Sequence, residues 1–235
     1  MLRENNEKMR QEFTANVSHE LKTPLTSISG YAELIETGIA KPEDTPGFAR
    51  KIHVEASRMI QLVNDILQLS HLDNVSETGA APAMETVDLL DVARECVERQ
   101  KVNARHSYIS LTYLGESAPV TGSRVLLDEL CQNLCDNAIR YNRPGGKVQI
   151  ITACTRDGHC TLTVKDNGIG IPKEAQTSVF ERFYRVDKSR SKATGGTGLG
   201  LAIVKHIARI HNARIKLDSV VDEGTTITVI FETAS

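Results

Sequence analysis

Apolar residues recur every three or four positions through the first third of the chain. Counted from Phe13 at about 100° per residue, Phe13, Val17, Leu21, Leu25, Ile28, Tyr31, Ala32 and Ile35 share an arc of about 120°. This predicts one long helix over residues 1 to about 37, stopped at Gly38. Pro24 lies inside it and removes the bond to the Glu20 carbonyl, so a kink is expected there. A polar break over residues 38–46 carries Pro42 and Pro46. A second helix is expected over 47–72, with Ile52, Ala56, Met59, Val63 and Ile66 stepping as a heptad seam. Two such helices cannot bury both apolar stripes alone, and a dimeric four-helix bundle answers that need. A hairpin docked on the rest of the chain is the competing arrangement.

Small residues take over across 73–85, which reads as a boundary. The expected division is 1–74, a linker at 75–85, and a second domain at 86–235. In that domain the pattern is mixed. A strand is expected near 85–87, then a helix capped by Asp88 and running to about Val102. Strands follow at 108–114 and around Val120, then a helix capped by Ser123 over 124–141. A hairpin at 147–154 and 160–165, a glycine-rich stretch at 166–197, a helix over 199–211 and a hairpin at 214–220 and 225–233 complete it. The mixture predicts an α/β sandwich with helices on one face of a mixed sheet.

Composition narrows the class. The 235 residues are 40% hydrophobic and 25% charged, with a net charge of -2. This argues against bulk binding to nucleic acid or anionic lipid. No run of about 18 apolar residues occurs, so no transmembrane helix is expected. The start is too charged for a signal peptide. The character is cytosolic, compatible with a fragment of something longer. The five cysteines show no framework spacing and read as reduced thiols. Cys131 and Cys135 read as small buried hydrophobes. A two-residue turn at Asp157-Gly158 would pair Thr155 with Cys160 and put Cys154 on the other face, against a disulfide.

Four stretches look chemical. His19 falls about 180° from the middle of the apolar arc, which places it in water beside Glu20. Asn133 and Asn137 are one helical turn apart, with Arg140 and Tyr141 beyond. Paired amide oxygens suit a hard cation such as Mg²⁺, although a solvated helix face would look the same. Asp166-Asn-Gly168-Ile-Gly170 follows a strand, and its carboxylate could accept an adenine amine or simply open a turn. Gly195-Gly196-Thr-Gly198-Leu199-Gly200 opens a helix and could hold phosphates on backbone N–H groups. It is neither a Rossmann fingerprint nor a P-loop. The basic segment before it, with Phe180, Phe183 and Arg185, reads as a mobile lid or a solvated loop.

Taken together, His19-Glu-Leu-Lys-Thr-Pro24, Asn-x-x-x-Asn, Asp-x-Gly-x-Gly, Phe-x-x-Phe and Gly-x-Gly-x-Gly resemble a bacterial two-component sensor histidine kinase over nearly the whole chain. The resemblance implies a dimerisation and phosphotransfer domain, then an ATP-binding domain of the histidine kinase and topoisomerase ATPase type. By that resemblance His19 accepts phosphate and Glu20 orients or deprotonates its ring. Thr23 matches the position that orients a water when such kinases dephosphorylate their partner. Asn133 and Asn137 would hold Mg²⁺. Arg140 and Tyr141 would meet phosphates and ribose, and Asp166 the adenine, with Gly168 and Gly170 shaping the pocket. Arg185 would meet the γ-phosphate, and Gly196, Gly198, Leu199 and Gly200 would wrap the phosphates. ATP and Mg²⁺ are the implied cofactors. The implied partners are a second copy and a response regulator, without nucleic acid or membrane contact by this region. The implied place is the cytoplasmic portion of an inner-membrane sensor. A nucleotide-binding adaptor and a free-standing ATPase are the competing functions.

Overall fold

A computed structural model describes residues 2–78, 82–186 and 196–232, with side chains described over 13–74, 82–186 and 196–232. It divides into two compact units, Met1–Leu67 and Gln68–Ser235.

The first unit holds α1 (Leu2–Glu36) and most of α2 (Thr45–Thr78). Helix α1 is unbroken through Pro24. Around that proline, hydroxyls bond carbonyls one turn back: Thr23 to His19 at 3.2 Å, Thr26 to Lys22 at 2.9 Å and Ser27 to Thr23 at 3.3 Å. Such back-bonding tends to bend a helix, as does the missing proline N–H. The stripe on α1 is only half-buried, and two positions exchange roles: Leu25 is 56% exposed whereas Pro24 is buried. On α2, Val63 is 41% exposed although it belongs to the seam. The hairpin turn is closed by the rings of Tyr31 and Phe48, 5.6 Å apart, under the Lys51 ammonium.

Helix α2 runs six residues past the expected end at Leu72, into the stretch read as linker. From Gln68 onward it packs with the second unit, burying Leu69 and Leu72.

The second unit continues with β1 (Glu85–Asp88), α3 (Leu89–His106), β2 (Ser110–Gly115), β3 (Pro119–Gly122) and α4 (Arg124–Arg140). Then come β4 (Lys147–Cys154), β5 (His159–Asp166), α5 (Gly200–Ile210), β6 (Arg214–Val220) and β7 (Gly224–Glu232). Strands β1 and β3 form a small antiparallel pair. The main sheet has the order β2-β4-β5-β7-β6, with β2 and β4 parallel and the other pairs antiparallel. Its buried face alternates through Val148 and Ile150, Leu162 and Val164, Val229 and Phe231. Against it lie α3, α4 and α5 with Val92, Leu130, Leu134, Ile203 and Ile207 fully or nearly fully buried. This is the expected α/β sandwich, with helices on one face of a mixed sheet.

Two expected caps turn out differently. Asp88 caps α3 through Leu90 N at 2.9 Å, and also takes Ala118 N at 2.8 Å and the Ser117 hydroxyl at 2.6 Å. Burial opposes its charge, but these bonds outweigh that and hold its carboxyl below the usual range. Ser123 occupies the cap position of α4 without a side-chain cap bond. Its backbone N–H instead reaches His211 Nε2 at 3.0 Å.

The hairpin reading of the cysteines is corrected. Between β4 and β5 the Thr155 N–H bonds the His159 carbonyl at 2.8 Å, so the turn beyond that pair has three residues, 156–158, with Gly158 in the left-handed region at φ 84. Cys154 therefore pairs directly with Cys160 rather than being displaced to the other face. Their Cα atoms are 4.1 Å apart and they form a disulfide. Cys96, Cys131 and Cys135 are free and fully buried between α3 and α4, in keeping with the reading of Cys131 and Cys135 as small hydrophobes.

Candidate nucleotide and phosphoacceptor sites

Helix α4 carries Asn133 and Asn137 on the side that meets the first turn of α5. At Gly200 an added Cβ would stand 3.0 Å from Asn133 Oδ1 and 3.5 Å from Asn137 Nδ2. The opening backbone of α5, whose first N–H groups have no partner within the helix and which carries the positive end of the helix dipole, thus lies against both amides. Asn133 Nδ2 donates to the Glu129 carbonyl at 3.0 Å. That bond leaves its oxygen turned toward the glycine segment.

One turn on, Arg140 and Tyr141 stand against Gly196: a Cβ there would lie 3.0 Å from the Tyr141 hydroxyl and 3.2 Å from Arg140 Nη1. Tyr141 also reaches the other way, its carbonyl accepting Ile169 N at 3.1 Å. It therefore joins the end of α4 to both glycine segments. Gly196, Thr197 and Leu199 are buried, whereas Gly198 and Gly200 are half-buried.

Asp166 closes the far side at the end of β5. Its Oδ1 accepts Gly168 N at 2.8 Å and Thr225 N at 3.2 Å, and among the described residues Oδ2 takes no hydrogen bond. Burial pushes its carboxyl above the ordinary value, and the two backbone bonds only partly oppose this. Gly170 has φ 68, and a Cβ there would strike the Val220 carbonyl at 2.0 Å, so only glycine fits. Gln176 Nε2 braces this loop by bonding the carbonyls of Ile171 and Ser219, both at 2.9 Å, and Ser219 Oγ takes Ile171 N at 2.8 Å. Gln176, Ser219 and Thr225 went unseen in the sequence, because backbone bracing leaves no motif.

Arg185 is half-buried, two residues beyond Phe183. Phe183 has φ 63, and its N–H bonds the Gly198 carbonyl at 2.9 Å, tying the phenylalanine segment to the glycine motif. The lid expected ahead of Gly196 falls mostly on residues 187–195, outside the described residues, as does Gly195.

The remaining three expected site residues belong to the first unit. His19 is exposed, Glu20 half-buried and Thr23 exposed. Arg58, on α2, lies 3.9 Å from Glu20. It too was missed, since its partner is set by the pairing of the two helices. Among the described residues, no group of three or more His, Cys, Asp or Glu side chains is arranged to hold a metal ion, and no helix is long and apolar enough to cross a membrane. Amide oxygens beside a helix N-terminus are a donor set that fits Mg²⁺ shared with nucleotide phosphates, because that ion keeps few protein ligands.

Two family patterns match this chain. Residues 9–75 match the His Kinase A (phospho-acceptor) domain, and 122–235 the histidine kinase-, DNA gyrase B-, and HSP90-like ATPase. The sensor-like histidine kinase SenX3 of Mycolicibacterium smegmatis is 44% identical over 228 residues, which is 95% of this chain and 57% of that protein. The chain thus spans little more than half of that relative. Among solved structures, the mycobacterial sensor histidine kinase MprB is 32% identical with a TM-score of 0.55, covering 64% of this chain and 97% of that one. Histidine kinase ThkA, solved in complex with response regulator protein TrrA, shares the fold at 23% identity with a TM-score of 0.76, covering 99% of this chain and 64% of that one. Residues that match the phospho-acceptor pattern, then a sheet domain that matches the ATPase pattern, in a chain 32% identical to a sensor histidine kinase of which it covers 97%, show that the chain belongs to the two-component sensor histidine kinase family.

Proposed function

We propose that the chain catalyses ATP-dependent phosphorylation of its own His19 and passes the phosphoryl group to an aspartate of a response regulator. The observation that carries this reading is the meeting of Asn133, Asn137, Arg140 and Tyr141 around the glycine-rich start of α5, with the Asp166 loop joined to the same helix end through the Tyr141 carbonyl. Adenine would place its amine on Asp166, and the phosphates would lie along Gly196, Gly198, Leu199 and Gly200. Asn133 and Asn137 would hold Mg²⁺, and Arg185 the γ-phosphate. Nε2 of His19 would attack the γ-phosphorus as the bond to the β-phosphate oxygen breaks and ADP leaves. The Nδ1 proton would pass to Glu20 or to water. Roles divide along the chain as phosphotransfer over 1–74, linker at 75–85 and ATP binding over 86–235.

Dimerisation belongs to the same reading. Leu25, Ile60, Val63 and Leu67 leave 41–64% of their surface open, which a second copy in a four-helix bundle would cover. The response regulator is the partner by kinship with ThkA, whose complex is with such a protein. Dephosphorylation of the regulator with Thr23 orienting water, and placement in the cytoplasm behind a membrane sensor, complete the proposal.

Incubation with γ-labelled ATP and Mg²⁺ tests it. Acid-labile, base-stable label lost in His19→Gln supports the kinase. ATP binding without label points to an adaptor, and phosphate release without label to a plain ATPase.

A further inference from the structure

Arg182 lies at the foot of the segment that carries Arg185, and it is held by a residue far away in sequence. Its Nη2 donates to both oxygens of Asp73, at 2.8 Å and 3.0 Å. Asp73 sits near the end of α2, in the part that packs with the second unit. His206 of α5 completes the cluster. Its Nδ1 gives a hydrogen to the Ala202 carbonyl at 3.0 Å. Its Nε2 stands 3.0 Å from Asp73 Oδ1 and 3.3 Å from Arg182 Nη2. The side chains of Asp73 and Arg182 are each 34% exposed and that of His206 17%, so the pair is screened less than an open surface bridge. One residue earlier, Glu181 is tied to the same helix by Lys205 at 3.0 Å. One residue later, the Phe183 N–H is bonded to Gly198. Residues 181–183 are thus pinned at three successive positions, twice to α5 and its glycine entrance and once to α2.

From this geometry we infer that Asp73 is a positioning residue for γ-phosphate recognition. By holding Arg182 it sets the path of the chain to Arg185, and so makes the ATP site answer to the state of α2. The inference rests on the nucleotide site proposed above. A carboxylate that takes two bonds from one nitrogen, Nη2, of the guanidinium joins α2 to this segment and gives α2 a direct hold on which nucleotide the site prefers. ADP lacks the γ-phosphate, so its binding is insensitive to where Arg185 stands.

The test measures dissociation constants for ADP and for a non-hydrolysable ATP analogue with Mg²⁺, using the full chain. In Asp73→Asn and Arg182→Gln the preference for the ATP analogue over ADP should shrink about fivefold, with ADP affinity kept. The exchange Asp73→Arg with Arg182→Asp should recover most of that preference. If Asp73→Asn fails to fold, Arg182→Ala, which removes the guanidinium, makes the same comparison. An unchanged preference, or equal weakening of both nucleotides, overturns the inference. Failure of the unaltered chain to bind either nucleotide overturns the ATP reading itself, and the inference with it.

Discussion

Gly200 of α5 stands against Asn133 of α4, so closely that a Cβ on the glycine would come within 3.0 Å of the amide oxygen. Gly200 is helical, and alanine is a better helix former than glycine by about 1 kcal/mol. Gly200→Ala should therefore melt at the same or a higher temperature while displacing the Asn133 amide. Mg-ATP affinity is expected to fall about tenfold. Calorimetric titration beside a thermal melt checks this; an intact affinity would mean that Asn133 Oδ1 does not face the nucleotide.

Asp166 is a half-buried carboxyl, costly to the fold, at the place proposed for adenine. Its carboxyl titrates above the ordinary value of 3.8 because burial disfavours the charge. The folded chain then holds this proton more tightly than the unfolded chain. Its contribution to stability grows as pH falls through the folded value and is adverse above it. Asp166→Asn keeps an oxygen for the N–H groups of Gly168 and Thr225 and removes the buried charge. It should unfold at the same or a higher urea concentration at pH 7 and bind adenine nucleotides at least about tenfold more weakly.

His211 should make the second unit acid-sensitive. With Nδ1–H given to the Ile207 carbonyl at 2.8 Å, Nε2 must accept the Ser123 N–H, and only the neutral ring can do both. Burial lowers its pKa below the ordinary 6.5, opposed in part by the bond to Ile207. Below pH 6.5 the unfolded chain gains a proton that the folded chain refuses, so stability should fall from there until the folded value is passed. Urea unfolding across pH 7 to 5 should show that slope, and His211→Gln should flatten it while losing about 1–3 kcal/mol at pH 7.

Arg58 should matter for phosphoryl transfer and not for nucleotide binding. It lies 3.9 Å from Glu20 with both side chains partly exposed, so the pair is worth no more than about 1 kcal/mol. Arg58→Ala should slow labelling of His19 up to about fivefold with ATP affinity unchanged. A parallel loss of affinity would contradict its assignment to the phosphoacceptor.

Much of this protein was legible in the sequence because it is written in local periodicity. The apolar repeat of 3.6 residues placed His19 in water, and it is exposed. The glycine and asparagine motifs marked the candidate nucleotide site because backbone approach and paired amides demand those residue types at those spacings. The alternating strands marked β4 and β5 to the residue or nearly so. What the sequence could not settle depends on which residue comes opposite which. One residue of loop length decided that Cys154 meets Cys160, since strand side chains alternate with period two. Leu25 and Pro24 exchanged burial because a stripe does not tell which of its members its neighbours will cover. Above all, the hold of Asp73 on Arg182, of His211 on Ser123 and of Thr225 on Asp166 joins residues 109, 88 and 59 positions apart. Periodicity reaches only one turn or one strand, and such pairs exist only once helices and sheet are packed.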